Sequence, residues 1–130
     1  MQKHSLPARR GRHVIIVDDN FAVADGLRRS LEEYGHCVIG MASSVRSAKA
    51  LISRTACEVA VLDIDLKGET VIEVARLLAQ ADTPFLFVTG FGESLVLPPD
   101  LSDAPRLEKP APVEDVLETI EALCPVDRTH

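Results

Sequence analysis

The chain has 130 residues, 46% of them hydrophobic and 26% charged, which is the composition of one ordinary globular domain. Its net charge is −6, and because the first twelve residues carry +4, the remainder carries −10. Such an acidic body argues against a nucleic-acid surface, where Lys and Arg must neutralise phosphates. No apolar run approaches a membrane span and no signal-peptide pattern is present, so we expect no membrane insertion and a cytoplasmic location.

Residues 1–11 form a basic segment without apolar periodicity, which predicts a disordered extension. A docking arm for an acidic partner is the alternative interpretation, and a solvated tail is the favoured one. One domain is then expected over residues 12–124, followed by a short tail over residues 125–130.

Five apolar segments alternate with helical patterns along this domain. Such alternation predicts a parallel sheet covered by helices on both faces, with right-handed crossovers. Strands are predicted over residues 12–17, 37–41, 59–63, 84–89 and 105–107. Helices are predicted over residues 21–34, 45–52, 70–81 and 112–124.

Capping residues and apolar stripes set the helix boundaries. Ser43 or Ser44 is expected to be the N-cap of the second helix. The spacing of Thr70 and Glu73 is that of a capping box, which predicts that the third helix opens at Thr70. The buried stripe of the first helix is predicted to consist of Val23, Leu27, Leu31 and Tyr34.

The fourth crossover, residues 91–102, lacks a firm helical pattern. Two consecutive prolines, Pro98 and Pro99, would break any helix there after two turns at most. We therefore expect a short, frayed or disordered segment in place of a regular fourth helix.

Polar side chains follow four of the predicted strands. Asp18 and Asp19 follow the first strand, and Asp63 ends the third. Thr89 ends the fourth strand, and Lys109 follows the fifth. Because ligands in such sheets bind outside the carboxyl ends of the strands, these distant residues are expected to converge in one site.

The chemistry of that set points to magnesium and phosphate. Carboxylates held close together repel one another, and Mg²⁺ is a natural neutraliser because it prefers oxygen ligands. A carboxylate beside the metal can attack a phosphoryl group, while Lys109 and the hydroxyl of Thr89 bind the oxygens in transit.

Four spaced motifs resemble the receiver domain of two-component response regulators. They are VDDN at residues 17–20, VLDIDL at 61–66, VTG at 88–90 and LEKP at 107–110. The resemblance covers residues 12–124. It implies an α/β, flavodoxin-like fold, which is a doubly wound five-stranded parallel sheet of order 2-1-3-4-5 with helices on both faces.

The resemblance also implies a role for each site residue. It makes Asp63 the phospho-acceptor, in a Mg²⁺-dependent reaction, and it implies a cis peptide between Lys109 and Pro110. The remaining roles are metal-site acids for Asp18 and Asp19, a metal-binding backbone carbonyl for Asp65, the switch hydroxyl for Thr89 and the phosphate-binding cation for Lys109.

Two features differ from the usual pattern of the family that this chain resembles. Arg106 occupies the position of the usual switch aromatic, and PFLFVTGFG at residues 84–92 resembles the PFxFATGY-type signature of small, often stand-alone receivers. Such receivers are paired with HWE-type histidine kinases. In the family, the positions of Asp65 and Phe91 tune the phosphoryl lifetime, and we expect these two side chains to act in opposite directions.

The expectation is thus a single-domain response regulator, not an enzyme on other substrates, phosphorylated on Asp63 by a histidine kinase or phosphotransfer protein. It is expected to signal by protein contact. One alternative is a receiver-like binding module that works without phosphorylation. Another is a haloacid-dehalogenase-type phosphatase, suggested by Asp63-Ile64-Asp65, although the order of the acidic motifs differs from that family.

Overall fold

A computed structural model describes residues 11–90 and 97–124 of the chain. Its elements alternate as the apolar pattern predicts. The strands are β1 (His13–Val17), β2 (Cys37–Ala42), β3 (Val59–Asp63), β4 (Asp65–Leu66), β5 (Glu69–Thr70), β6 (Phe85–Thr89) and β7 (Arg106–Glu108). The helices are α1 (Phe21–Glu33), α2 (Val45–Arg54), α3 (Ile72–Gln80) and α4 (Val113–Leu123), and a short 3₁₀ helix spans Pro99–Leu101.

The five long strands form one parallel sheet in the order β2-β1-β3-β6-β7. This order corresponds to 2-1-3-4-5 when the short strands β4 and β5 are left out, so the predicted fold class is confirmed. All residues of β3 and β6 are buried, because helices cover both faces of the sheet.

The core is divided by the sheet into two apolar clusters. One lies under α2 and α3 and includes Ala48, Leu51 and Leu78. The other lies under α1 and α4 and includes Leu31 and Ile120. The α1–α4 face is the one that adjoins the candidate site, as shown below.

The predicted stripe of α1 is wrong at Val23, which is 44% exposed. Ala24 and Leu31 are the buried residues of this helix, and Leu27 packs against them. The buried stripe therefore includes Ala24, which is 3% exposed, in place of the larger Val23.

The predicted start of α3 at Thr70 is also wrong. Thr70 lies in β5, whose backbone pairs with Asp65 in β4, and the helix begins only at Ile72 without a side-chain cap. Lys67 and Gly68 form the turn of this small hairpin, both with positive φ angles of 54° and 88°. Thr70 therefore belongs to the hairpin and does not cap α3.

The fourth crossover falls partly outside the described residues, since residues 91–96 are not among them. Within the part that is described, the segment contains one 3₁₀ turn, with Leu101 buried in the core. The Arg76 side chain in α3 holds this turn by two hydrogen bonds to Asp100, of 3.1 and 3.2 Å.

Ser44 is the N-cap of α2, in agreement with the sequence, and it forms a reciprocal capping box with Ser47. The Ser44 hydroxyl accepts a hydrogen bond of 3.1 Å from the Ser47 amide. We expect Ser44→Ala to lower the free energy of unfolding by about 1 kcal/mol, because a backbone donor then loses its partner. Urea denaturation measures the change, and Ser53→Ala, at an exposed site near the other end of the helix, serves as the control.

Candidate functional site

The parallel strands deliver their polar residues to one edge of the sheet. Asp63 is the last residue of β3 and Thr89 the last of β6, while Asp18 and Lys109 directly follow β1 and β7. Because parallel strands share their carboxyl edge, these four positions meet despite lying up to 91 residues apart.

Lys109 lies between two carboxylates. Its Nζ is 3.2 Å from Oδ2 of Asp18 and 3.5 Å from Oδ2 of Asp63. The Lys109 backbone amide donates a 2.7 Å hydrogen bond to the Thr89 carbonyl, which fixes the residue at the strand edge. Asp18 in turn accepts a 2.9 Å hydrogen bond from the Asn20 amide through Oδ1. The site is therefore assembled by backbone and side-chain contacts together.

The electrostatics of Asp63 depend first on its burial. The residue is 6% exposed, and burial raises the pKa of its carboxyl from 3.8 to about 6. The positive charge of Lys109 opposes this rise, whereas Asp18 adds to it. Burial lowers the pKa of Lys109, but the charges of Asp18 and Asp63 outweigh that effect, so its pKa is raised and the ammonium stays charged.

Three carboxylates fit a divalent cation. Asp18, Asp19 and Asp63 each offer an oxygen, and these oxygens lie within 4.8 Å of one another. A single ammonium does not neutralise three carboxylates, and a hard cation with oxygen ligands would. The donor set consists of oxygen ligands only, which is the kind of set that a hard divalent cation such as Mg²⁺ prefers.

The Thr89 hydroxyl is a buried polar group without a hydrogen-bond partner among the described residues. Thr89 is 5% exposed, so water does not readily replace the missing partner. Buried hydroxyls are rarely left in this state, because desolvation of the group costs free energy. An oxygen-rich ligand at this edge of the sheet would supply the partner.

The residues expected to tune the site lie in different surroundings. The side chain of Asp65 is exposed and accepts a 3.1 Å hydrogen bond from the Gly68 amide, so it stabilises the β4–β5 turn. Arg106 is exposed on the edge strand β7 and is paired in register with Phe87. Phe91 lies outside the described residues. The peptide between Lys109 and Pro110 is cis, as the resemblance implies.

An apolar cleft of about 680 Å³ adjoins the site, between α1, α4 and the sheet. Asp63 and Lys109 lie at its end, and Gly26 of α1 lines it. A Cβ added at Gly26 would meet no atom within 4 Å, so the helix has open space on this side. Phe21, 70% exposed, and Val23 are the exposed large apolar side chains of the described residues.

Sequence reasoning missed this cleft. The signal was present as three small residues, Ala22, Gly26 and Ser30, spaced four apart on α1, which leave room beside the helix.

None of the helices in the described part of the chain has the length and apolar character that a membrane crossing requires.

Comparison with known proteins identifies a family and relatives for this chain. The family model of the response regulator receiver domain matches residues 14–121. The transcriptional regulatory protein YvrH of Bacillus subtilis is 31% identical over 77 residues, which are 58% of this chain and 32% of YvrH. This chain therefore spans about a third of the length of that relative.

Solved structures agree with the family match. SdrG from Sphingomonas melonis superimposes with a TM-score of 0.76 at 32% identity, and the match covers 87% of this chain and 96% of SdrG. The receiver domain of PhyR from Erythrobacter litoralis gives a TM-score of 0.77 at 24% identity, covering 95% of this chain and 97% of that domain, and supports the fold alone.

Proposed function

Because the chain belongs to the response regulator receiver domain family, we propose that it accepts a phosphoryl group on Asp63 in a Mg²⁺-dependent reaction and signals through protein contact. The observation that carries the proposal is the meeting of Asp63 with Lys109 and two further carboxylates at one strand edge. The donor is a histidine kinase or a phosphotransfer protein, and the resemblance of residues 84–92 to the PFxFATGY-type signature favours a kinase of the HWE type.

Each residue of the site has a part in this reaction. An Asp63 carboxylate oxygen forms a bond to phosphorus as the bond from phosphorus to the donor atom breaks, and the donor keeps the electron pair. Lys109 and the unpartnered hydroxyl of Thr89 bind phosphoryl oxygens, whose negative charge needs stabilisation during transfer. Asp18, Asp19, Asp63 and the backbone carbonyl of Asp65 would hold Mg²⁺, which supplies charge neutralisation when it is bound.

The geometry of Asp65 modifies its expected role in phosphoryl lifetime. Its carboxylate binds the Gly68 amide, so it would affect the lifetime through the turn that follows Asp63. We expect Asp65→Asn to change the decay rate of the phosphorylated form only modestly, because an amide oxygen can accept the same hydrogen bond. Phe91→Ala is expected to change the lifetime in the opposite direction. Following the loss of phosphoryl mass with time measures both, and unchanged lifetimes in both variants would contradict a tuning role.

The proposed reaction is tested most simply with a small donor. Incubation with acetyl phosphate and Mg²⁺ should add one phosphoryl group to the wild-type protein, as measured by intact mass spectrometry. Asp63→Asn should add none, because an amide is not a nucleophile of this kind. Asp65→Asn is the matched control, since it removes a neighbouring carboxylate outside the cluster of three and should still be phosphorylated.

The same samples separate the alternatives. A binding module that works without phosphorylation would gain no mass under any condition. A phosphatase of the haloacid-dehalogenase type would hydrolyse a generic phosphate ester with many turnovers, and a receiver would not.

A further inference from the structure

A buried histidine lies at the edge of the sheet opposite the phosphoryl site. His36, between α1 and β2, is 4% exposed, and its Nδ1 accepts a 3.0 Å hydrogen bond from the backbone amide of Arg12. Because Nδ1 acts as the acceptor, the proton of the neutral ring is on Nε2. Nε2 is buried and has no hydrogen-bond partner among the described residues.

Arg12 joins this histidine to the end of α4. One guanidinium nitrogen, Nη2, donates a 2.7 Å hydrogen bond to the carbonyl of Cys124, which is the C-cap of α4. The other, Nη1, is 3.5 Å from Oε2 of Glu58, which precedes β3. Arg12 itself is only 8% exposed. We call this set, Arg12, His36, Glu58 and Cys124, the Arg12 clasp.

The backbone approaches closely at the clasp. A Cβ added to Gly11 would lie 2.2 Å from the carbonyl oxygen of Gly35, so the residue before Arg12 has no room for a side chain. The backbone of Arg12 also accepts a 2.9 Å hydrogen bond from the Cys37 amide. The backbone around Arg12 therefore has little room to move if its hydrogen bonds change.

Protonation of His36 is incompatible with this arrangement. The added proton must go to Nδ1, the atom that accepts the Arg12 amide, and two donors would then face each other. Burial is the strongest effect opposing a positive charge on His36. The Arg12 guanidinium repels that charge, whereas Glu121 of α4 and Glu58 attract it. The balance lowers the pKa of His36 below 6.5.

We propose that protonation of His36 opens the Arg12 clasp. Opening would release the end of α4 from the amino edge of the sheet as the pH falls. The other end of α4 begins four residues after Lys109. Release at Cys124 would thus loosen the helix that lines the cleft beside Asp63, without changing any residue of the site. The device is independent of phosphorylation.

The sign of the pH dependence follows from linkage. The closed clasp binds fewer protons than the open one at pH values between the lowered pKa of His36 and 6.5. The clasp is therefore fully closed above this window and opens as the pH falls through it. Because each opening takes up at most one proton, the opening constant can rise by at most about tenfold for each unit by which the pH falls.

Amide hydrogen exchange measured by NMR between about pH 5 and 8, corrected for the intrinsic exchange rate, tests the proposal. We expect the opening constants of the Arg12, Cys37 and Cys124 amides to rise as the pH falls in the wild-type protein. In His36→Asn this rise should be absent, because the amide oxygen replaces Nδ1 as acceptor and does not titrate. Asp63 titrates equally in both proteins, so the difference between them isolates His36.

His13, an exposed histidine at the same edge, has its Nδ1 3.7 Å from Oε1 of Glu58 and so also contacts the clasp. His13→Asn removes that imidazole, and the slope should persist in this variant because His36 is the group that gains the proton. The ring shifts of His36 in the wild-type protein provide a second measurement that needs no variant. They should titrate together with the opening of the Arg12 amide. An equal slope in the wild-type protein and His36→Asn, loss of the slope in His13→Asn, or titration of the His36 ring without opening would overturn the proposal.

Discussion

Replacing Lys109 with Ala is expected to slow phosphorylation of Asp63 by acetyl phosphate by about 10²- to 10³-fold. Lys109 is the cation in contact with both Asp18 and Asp63 among the described residues, at 3.2 and 3.5 Å. Removal of one donor that stabilises developing charge typically costs about 3–4 kcal/mol in the transition state. The rate of mass gain at saturating Mg²⁺ measures the loss.

Lys49→Ala is the control for Lys109→Ala, because it also removes one positive charge but lies on the surface of α2 in a salt bridge with Glu73. It should phosphorylate at the wild-type rate. Lys109→Arg should recover part of the lost rate, since the charge remains but the head group is larger and planar. A Lys109→Ala protein that phosphorylates as fast as Lys49→Ala would show that the ammonium does not contribute to transfer.

Replacing Asp63 with Asn is expected to stabilise the metal-free protein at pH 7, although it abolishes phosphorylation. Burial raises the pKa of Asp63 from 3.8 to about 6, so ionisation of this carboxyl at pH 7 destabilises the folded state. This pKa difference corresponds to about 3 kcal/mol of unfolding free energy at most. Because Lys109 loses one partner in the variant, we expect the free energy of unfolding to rise by about 1–3 kcal/mol. Urea denaturation in the presence of EDTA measures it.

The pH and metal dependence identify the cause of this gain. The folded state binds more protons than the unfolded state at pH values between 3.8 and about 6, so wild-type stability falls as the pH rises through this window. The advantage of Asp63→Asn should therefore vanish below about pH 4. Mg²⁺ should stabilise the wild-type protein more than the variant, because the variant has lost one carboxylate of the cluster. Equal stability of the two proteins at pH 7 without metal would contradict the account.

Much of this fold could be predicted from the sequence. β3 and β6 are apolar throughout and end in a polar residue, which fixes them as central parallel strands with known direction. Once that direction is known, Asp63 and Thr89 must lie at the carboxyl edge of the sheet. Lys109 must lie there too, because it directly follows the next strand. The site could thus be assembled from strand ends alone.

The wrong predictions came from a small residue in α1 and from a short hairpin before α3. The buried stripe of α1 passes through Ala24, a weakly apolar residue whose small size lets the helix approach the sheet. Thr70 has the spacing of a capping residue, but it pairs with Asp65 in a short local hairpin, which the capping-box pattern does not reveal. The role of His36 was missed as well, because a single histidine at a strand entry carries no pattern.

The most direct test of the central claim locates the phosphoryl group itself. Borohydride reduces an acyl phosphate to an alcohol, so treatment after incubation with acetyl phosphate converts a phosphorylated aspartate into homoserine, which peptide mass spectrometry can place. The account predicts homoserine at position 63 alone, with Mg²⁺ required and EDTA abolishing it. Homoserine at another aspartate, phosphate on a different residue type, or equal labelling in EDTA would contradict it.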